Sequence, residues 1–416
     1  MGGCGQRRRV VTILNREMAT MQPMHRQVFL LATAQALFQT VSVLVMTIGG
    51  LAGSILAPSP EWATAPIAAM FLGTAVSTVP ASMWMTRVGR RIGFIAGASL
   101  GTLGGLLAAA GMFTSSLALL CLGTFLAGAY QGFAQFYRFA AAEVASNAFK
   151  PRAISLVLAG GVVAALVGPL LARIGGDLLQ PAYTASFLFL ALTSLLAVGV
   201  LWGVNVPKSV DTAEDMAAAR PLKDIVRQPT YLVALFGAVT GYGVMILAMT
   251  ATPLAMVHHN HGLGATATVI QLHVLGMFLP SFFTGSLIAR FGVLRIMFTG
   301  IVLLTGHVLF SLSGTGLYSF TAALILLGIG WNFLYIGGTN LLTRAYSTAE
   351  KGKAQATNDL TIFLVGLIAS LSAGVLQNTI GWQSLNLALL PWLALAAGAI
   401  IWLGRASGPV PVKAAT

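Results

Sequence analysis

Ser82-Met83-Trp84-Met85-Thr86-Arg87-Val88-Gly89-Arg90-Arg91 recurs in loosened form as Gly285-Ser286-Leu287-Ile288-Ala289-Arg290-Phe291-Gly292-Val293-Leu294-Arg295. The step from Arg87 to Arg290 equals the step from Gly89 to Gly292, and it is close to half of the 416 residues. Each copy follows one long apolar run and precedes another. A short basic turn repeated at half-length between apolar runs marks a duplicated chain with its halves in parallel orientation.

Outward from these turns, the composition names the solvent. Hydrophobic residues make up 57% and charged residues 8%, against about 25% charged in a soluble domain. So few charges cannot cover a water-exposed surface, and the surrounding medium is lipid. Apolar runs fall at 28–56, 63–85, 92–113, 117–139, 152–174 and 182–204, then at 231–257, 265–288, 293–313, 316–342, 356–378 and 384–404. Each is long enough for a span of roughly 20 residues, and bilayer physics makes them helices because backbone polar groups must be satisfied internally. The expected fold is all-α and integral to the membrane, with twelve transmembrane helices in two pseudo-symmetric six-helix bundles. The expected organisation is a tail over 1–27, a first bundle over 28–204, a linker over 205–230, a second bundle over 231–404 and a tail over 405–416. The linker is the most charged stretch, with Lys208, Asp211, Glu214, Asp215, Arg220, Lys223, Asp224 and Arg227.

Apart from Arg138 and Arg173, every Lys and Arg falls on one side of this twelve-span layout. By the positive-inside rule that side is cytoplasmic. The expected location is a bacterial inner membrane, multi-pass, with the linker and both tails inside. The net charge of +13 does not indicate nucleic acid, because the basic residues are spread over helix ends rather than gathered on one module. Cys4 and Cys121 are the two cysteines, too few for a disulfide framework or a zinc site. Residues 1–27 hold no long apolar core of a cleaved signal, and Met18 is an alternative start to Met1.

The turn carries a resemblance. Gly-x-x-x-Asp-Arg-x-Gly-Arg-Arg between helices 2 and 3 is the signature of the major facilitator superfamily, and Arg87, Gly89, Arg90 and Arg91 match it. Ser82 replaces the first Gly and Thr86 the Asp, while Ala289 stands at the Asp position of the second copy. Thr124 occupies the place of an early helix-4 Arg that the family sets before a Gly, here Gly128. Gly168-Pro169 keeps the end of the antiporter signature, whereas Ala172-Arg173 replaces two glycines; both departures weigh against an ordinary proton-driven drug exporter. Gln131–Glu143, His273–Gly285 and Trp331–Thr343 resemble a bacterial subgroup, and there is a faint similarity to riboflavin carriers of the superfamily. The resemblance spans 28–404. It implies two bundles rocking about a cavity lined by helices 1, 4, 7 and 10, and hence a secondary active transporter moving a small organic solute by alternating access.

Polar residues inside spans are costly and so are candidates for function. Gln131, Gln135 and Arg138 follow i, i+4, i+7 and share one face of helix 4, flanked by Tyr130 and Tyr137. Gln35, Gln39 and Ser42 do the same on helix 1. Trp331, Asn332, Tyr335 and Thr339 on helix 10, Tyr242 on helix 7, and Gln271 and His273 on helix 8 complete the set. Aromatic rings beside amides suit a flat, partly polar ligand. Arg138 reads either as a draw for an anionic or carbonyl-rich substrate or as a snorkelling interfacial cation; His273 reads either as a carrier of a coupled proton or as a neutral hydrogen-bonding partner. Thr86, Arg87, Gly89, Arg90, Arg91, Glu143 and Asp359, with Arg290 and Gly292 in the second copy, form the candidate gate. On the family resemblance Arg90 pairs with Glu143, Arg87 or Thr86 approaches Asp359, and Arg290 and Arg295 with Glu350 form a weaker counterpart. Gly101, Gly104, Gly105, Gly160 and Gly161 read as close-packing positions, and Pro169, Pro280 and Pro391 as kinks.

Other classes fare worse. No metal-ligand helix, nucleophile motif or phosphate loop appears, so no enzyme activity, cofactor or metal is expected; His258, His259 and His261 read as a solvated loop before a metal site. A non-transporting receptor or assembly factor on the same fold would expect a larger soluble part. Vitamin uptake and drug or metabolite efflux remain alternative directions. The expected partners are a small-molecule substrate, with or without a coupled proton, and the lipid bilayer; the expected state is a monomer.

Overall fold

The computed structural model describes residues 3–59, 62, 65–207 and 219–406. Lys208, Asp211, Glu214, Asp215 and Lys413 lie outside them. Among the described residues, twelve helices are long and apolar enough to cross a membrane: α1 (Met24–Leu56), α2 (Ala65–Val88), α3 (Arg90–Phe113), α4 (Leu117–Val144), α5 (Lys150–Gly176), α6 (Thr184–Trp202), α7 (Pro229–His258), α8 (Thr268–Phe291), α9 (Val293–Ser313), α10 (Leu317–Leu342), α11 (Thr348–Gln377) and α12 (Thr379–Ala406). Large apolar side chains such as Phe113, Leu195, Leu309 and Leu371 stay exposed on the outer faces, as lipid-facing positions must.

The duplication is visible in the backbone. Gly89 has φ 94° and ψ 159°, and Gly292 has φ 89° and ψ 150°. Each ends one helix and starts the next with a left-handed φ that a side chain would strain. Within the bundles, small residues set the spacing. A Cβ on Gly104 would sit 2.5 Å from the Gly123 carbonyl oxygen, and one on Gly128 would overlap the Met70 backbone. This lets α3 and α4, and α2 and α4, touch backbone to backbone.

Two boundaries differ from the apolar runs. α11 begins at Thr348, eight residues before the run, because a capping box starts it: Ser347 and Glu350 exchange side-chain and backbone hydrogen bonds. The first two turns carry Lys351, Lys353 and Gln355, which hydropathy alone assigns to a loop. Gly381, at φ 76°, breaks the helix within the first turn of α12. Among the expected kinks, Pro280 separates Leu263–Phe278 from Ser281–Phe291, Pro391 lies at the second position of Leu390–Ala406, and Pro169 sits inside an unbroken Gly161–Leu178.

The halves meet along two seams near the basic turns. On one, the Ser82 hydroxyl of α2 donates to the Gly352 carbonyl of α11 at 2.9 Å. On the other, the Ser155 hydroxyl of α5 donates to the Ser281 carbonyl of α8 and accepts from the Gly285 N–H at 3.0 Å. Ser82 and Gly285 hold equivalent places in the repeat, so the same spot of each copy docks onto the opposite bundle. This also accounts for the Gly-to-Ser departure at 82. A glycine across the seam, Gly352, leaves room for the neighbouring Thr86 methyl, which a Cβ there would meet at 2.6 Å.

Candidate functional site: a central cavity above a buried ion pair

Between the halves lies a cavity of about 510 Å³. Its walls come from α1, α2, α4 and α5 on one side and α7, α8 and α10 on the other. Of the anticipated residues, Gln35, Gln39, Gln131, Gln135, Tyr242, Trp331 and Tyr335 line it, as do Ser42 and Gln271. The indole of Trp331 stacks on the Tyr335 ring, with centroids 4.9 Å apart and planes 15° from parallel. Phe278 meets Trp331 edge-on at 5.6 Å, and Tyr242 lies 6.1 Å from Tyr335. Five glutamines share the space with this aromatic wall. Trp331 Nε1 and Gln131 Oε1 are buried without a protein partner, one a donor and the other an acceptor. No Lys, Arg, Asp or Glu is among the described residues that line the cavity.

The floor beneath carries charge. Arg138 Nη2 is 2.5 Å from Asp359 Oδ1, with the two side chains 2% and 0% exposed. Arg138 Nη1 donates to Gln135 Oε1 at 3.0 Å and to the Tyr335 hydroxyl. That hydroxyl in turn donates to Gln135 Oε1 at 3.2 Å. Asn358 donates to Asp359 Oδ1 at 2.8 Å, and the guanidinium lies over the Tyr335 ring at 4.5 Å. Two cavity side chains, Gln135 and Tyr335, therefore hold the cation of a cross-half ion pair. Removing either partner of such a pair costs about 3–5 kcal/mol, because a lone charge is left in a dry site.

Closer to the basic turns is a second cross-half cluster. Arg90 Nη2 pairs with Glu143 Oε1 at 2.7 Å and donates to Gln355 Oε1 at 2.7 Å. Lys351 reaches Glu143 Oε2 at 3.3 Å, and Gln355 donates to the Tyr346 hydroxyl at 2.7 Å. Glu143 and Lys351 remain partly exposed, at 19% and 14%. Gly89 ends α2 so that Arg90 starts α3 pointing into this cluster, buried to 6%.

Several expectations need correction. Asp359 meets neither Arg87 nor Thr86: it lies at the cavity floor with Arg138, while the Thr86 methyl abuts Gly352. Glu350 pairs not with Arg290 or Arg295 but with Arg220 of the linker, at 2.7 Å, and the Arg220 N–H also donates to it at 2.9 Å. Arg138 offers no free charge to an anionic substrate, because Asp359 neutralises it. Tyr130 is fully buried inside the first bundle, edge-on to Phe38 and against Gly101, away from the cavity. His273 is fully buried with Nδ1 2.8 Å from the Leu324 carbonyl of α10; His307 of α9 is held alike, its Nδ1 3.0 Å from the adjacent Ala323 carbonyl. Asn332 serves α8: it donates to the Met277 carbonyl at 2.6 Å, at the break before Pro280, and accepts from Thr284 at 2.7 Å. An interrupted helix leaves carbonyls without an intrahelical partner, and Asn332 supplies one. Arg91 lies over Trp202 at 5.8 Å, and Arg290 over Phe291 at 5.2 Å. His261 bonds the Thr315 carbonyl at 2.7 Å, and no group of three or more metal-ligating side chains occurs among the described residues.

The cavity also has walls that carry no polar signal in sequence: Met46, Met70, Phe71, Met245, Met249 and Phe278. In an all-apolar helix nothing distinguishes a lipid-facing Met from a cavity Met.

Comparison with known proteins places this architecture. The profile of the Major Facilitator Superfamily matches residues 28–279 and 237–416. The chain belongs to that superfamily. It is thus a membrane transporter working by alternating access, from a family of carriers rather than enzymes. It is 42% identical over 372 residues to the riboflavin transporter RfnT of Brucella anthropi, covering 89% of this chain and 94% of that one. It is 30% identical to YdeG of Bacillus subtilis, an uncharacterized transporter of the superfamily, over 82% and 83% of the two chains. Among solved structures it resembles the outward conformation of FucP, with TM-score 0.72 at 16% identity over 91% of this chain and 97% of that one. It also resembles a bacterial homologue of the iron transporter ferroportin in an outward-facing state, with TM-score 0.68 at 15% identity over 91% and 99%.

Proposed function

We propose that this transporter takes up riboflavin, or a neutral flat heteroaromatic compound of the same kind, across a bacterial inner membrane. The observation that carries the reading is the cavity lining: a stacked Trp331–Tyr335 pair, flanked by Tyr242 and Phe278 and faced by five glutamines, with no charged side chain among the described residues. An isoalloxazine ring offers a large flat surface to the aromatic wall, and aromatic contacts add about 0.5–1.5 kcal/mol beyond burial. Its imide edge carries an N–H between two C=O groups, and that N–H matches the unpartnered Gln131 acceptor. The hydroxyls of a ribityl chain suit the remaining amides. The similarity to RfnT supports the same substrate class.

An uncharged cavity also selects. The phosphate of a flavin nucleotide would enter without a cation to meet it, and an unpaired charge in a dry site costs several kcal/mol. The neutral vitamin is therefore carried and its phosphorylated form is not.

The basic turns, the linker and both termini lie on the cytoplasmic side by the positive-inside rule, and the bundles over 28–204 and 231–404 rock about the cavity through the 205–230 linker. Among the described residues, the hydrogen bonds and ion pairs between the halves gather toward that side, so the inner side is the one they hold closed. Arg138–Asp359 and the Arg90–Glu143–Lys351 cluster form the inner gate, and a substrate resting on Gln135 and Tyr335 touches the two side chains that hold Arg138. The protein acts as a monomer.

The test is uptake of labelled riboflavin in bacteria that neither make nor import the vitamin. Expression of the chain should restore accumulation and growth on low external riboflavin, with unlabelled riboflavin competing and its phosphate failing to compete. Expression at the membrane without accumulation would contradict the substrate reading, and accelerated loss from preloaded cells would reverse the direction.

A further inference from the structure

A second, larger space lies outside the transport cavity. A groove of about 850 Å³ runs along the membrane face between α1, α5 and α6, with Phe282 of α8 closing one side. Its walls are aliphatic and aromatic. The three hydroxyls that reach it are already committed to their own helices: Thr33 donates to the Phe29 carbonyl, Thr40 to Ala36 and Thr193 to Phe189. Nothing within the groove asks for a polar ligand, so its chemistry is that of hydrocarbon.

One end is different. There the groove is lined by His25 and Phe149, whose rings meet at 5.1 Å. Next to them in the chain stand Arg26, Lys150 and Arg152; Arg26 and Arg152 are exposed. Arg152 also reaches across the α5–α8 seam to Ser286 at 3.1 Å. An apolar channel with a cationic mouth at the membrane interface matches one molecule abundant in its surroundings. Basic side chains at the interface attract anionic head groups, and each buried methylene of an acyl chain adds to the hold.

We infer that this groove binds an anionic phospholipid, with an acyl chain lying between α1, α5 and α6 and the phosphate at Arg26, Lys150 and Arg152. Because Phe282 comes from the second bundle, the occupied groove spans both halves and favours the state in which the α5–α8 seam is closed.

The full-length protein, stripped of lipid in a neutral detergent, is titrated with phosphatidylglycerol or phosphatidylcholine of identical chains, and bound lipid is counted by native mass spectrometry. Phosphatidylglycerol should bind roughly thirty- to hundredfold more tightly, the preference expected of two or three interfacial cations. The double substitution Arg26→Gln with Lys150→Gln should bring it down to the phosphatidylcholine level. Val163→Trp fills the groove from a side chain 51% exposed; it should reduce binding of both lipids without changing the thermal midpoint of lipid-free protein. Soluble glycerol phosphate should not compete. Equal binding of the two lipids by the wild type, unchanged binding in Val163→Trp, or displacement by glycerol phosphate would each overturn the assignment.

Discussion

Two cross-half ion clusters sit one above the other in this transporter, and they are built on different terms. Arg138–Asp359 is dry, 2% and 0% exposed, and hydrogen-bonded to residues that also line the cavity. Arg90–Glu143–Lys351 lies closer to the basic turns, keeps some exposure, and bonds to Gln355 and no cavity residue. A dry pair is costly to break and sensitive to what touches it. A wetter cluster is weaker and adjustable. On the proposed function the difference divides two tasks: the dry pair, bonded to Gln135 and Tyr335, answers to the cavity, and the wetter cluster holds the basic turn against the opposite bundle.

The strongest way to break the comparison is Asp359→Asn. It leaves Arg138 buried without its counter-ion, and we expect a loss of about 3–5 kcal/mol, read as a lowered thermal midpoint together with abolished uptake. The paired change Arg138→Met with Asp359→Leu should recover most of the stability, since apolar replacement of a buried pair is often neutral, yet leave uptake absent. Recovery of transport by the apolar pair would show that the charges only fill space.

Trp331→Ala separates the cavity from the floor. It removes the stacked face but leaves Arg138–Asp359 in place, so riboflavin affinity should fall by roughly 2 kcal/mol, about thirtyfold, alongside a loss of about 3–5 kcal/mol of stability from truncating a buried indole. Ligand titration and thermal melting of the purified protein check the two.

Glu143→Gln loosens the lower cluster by about 1 kcal/mol. The expected result is a shift toward the inward-open state with riboflavin affinity kept within a few-fold. A cysteine placed at Gln39 and labelled by an impermeant reagent from each side reports that shift. Unchanged labelling would mean that the Arg90 cluster is a surface feature with no part in gating. Smallest of all, Arg220→Ala should change stability by less than about 1 kcal/mol, because its guanidinium is 42% exposed despite meeting a buried Glu350.

The same contrast explains what could be read from sequence. The span count, the repeat and the sidedness of the charges follow from hydropathy and charge, which depend on the solvent more than on neighbours. Gln35, Gln39, Gln131 and Gln135 show their common faces through i, i+4 spacing. Spacing gives a face but not its depth or its partner, which is why Asp359 was expected at the rim and lies instead at the floor. Asn332 and His273 look functional for the reason any polar residue in an apolar helix does. Only the break at Pro280 shows that Asn332 satisfies a freed carbonyl, and only the packing of α8 on α10 shows where His273 points. The methionines and Phe71 of the cavity were silent, since their helices are apolar all round.

The most direct measurement is titration of riboflavin into the purified transporter in lipid nanodiscs, following flavin fluorescence, with riboflavin phosphate as the comparison. Stacking on Trp331 and Tyr335 should give saturable quenching by riboflavin that is lost in Trp331→Ala, and little or none by the phosphate. An absence of quenching by riboflavin, or equal quenching by its phosphate, would contradict an uncharged aromatic cavity above a neutralised ion pair as the seat of transport.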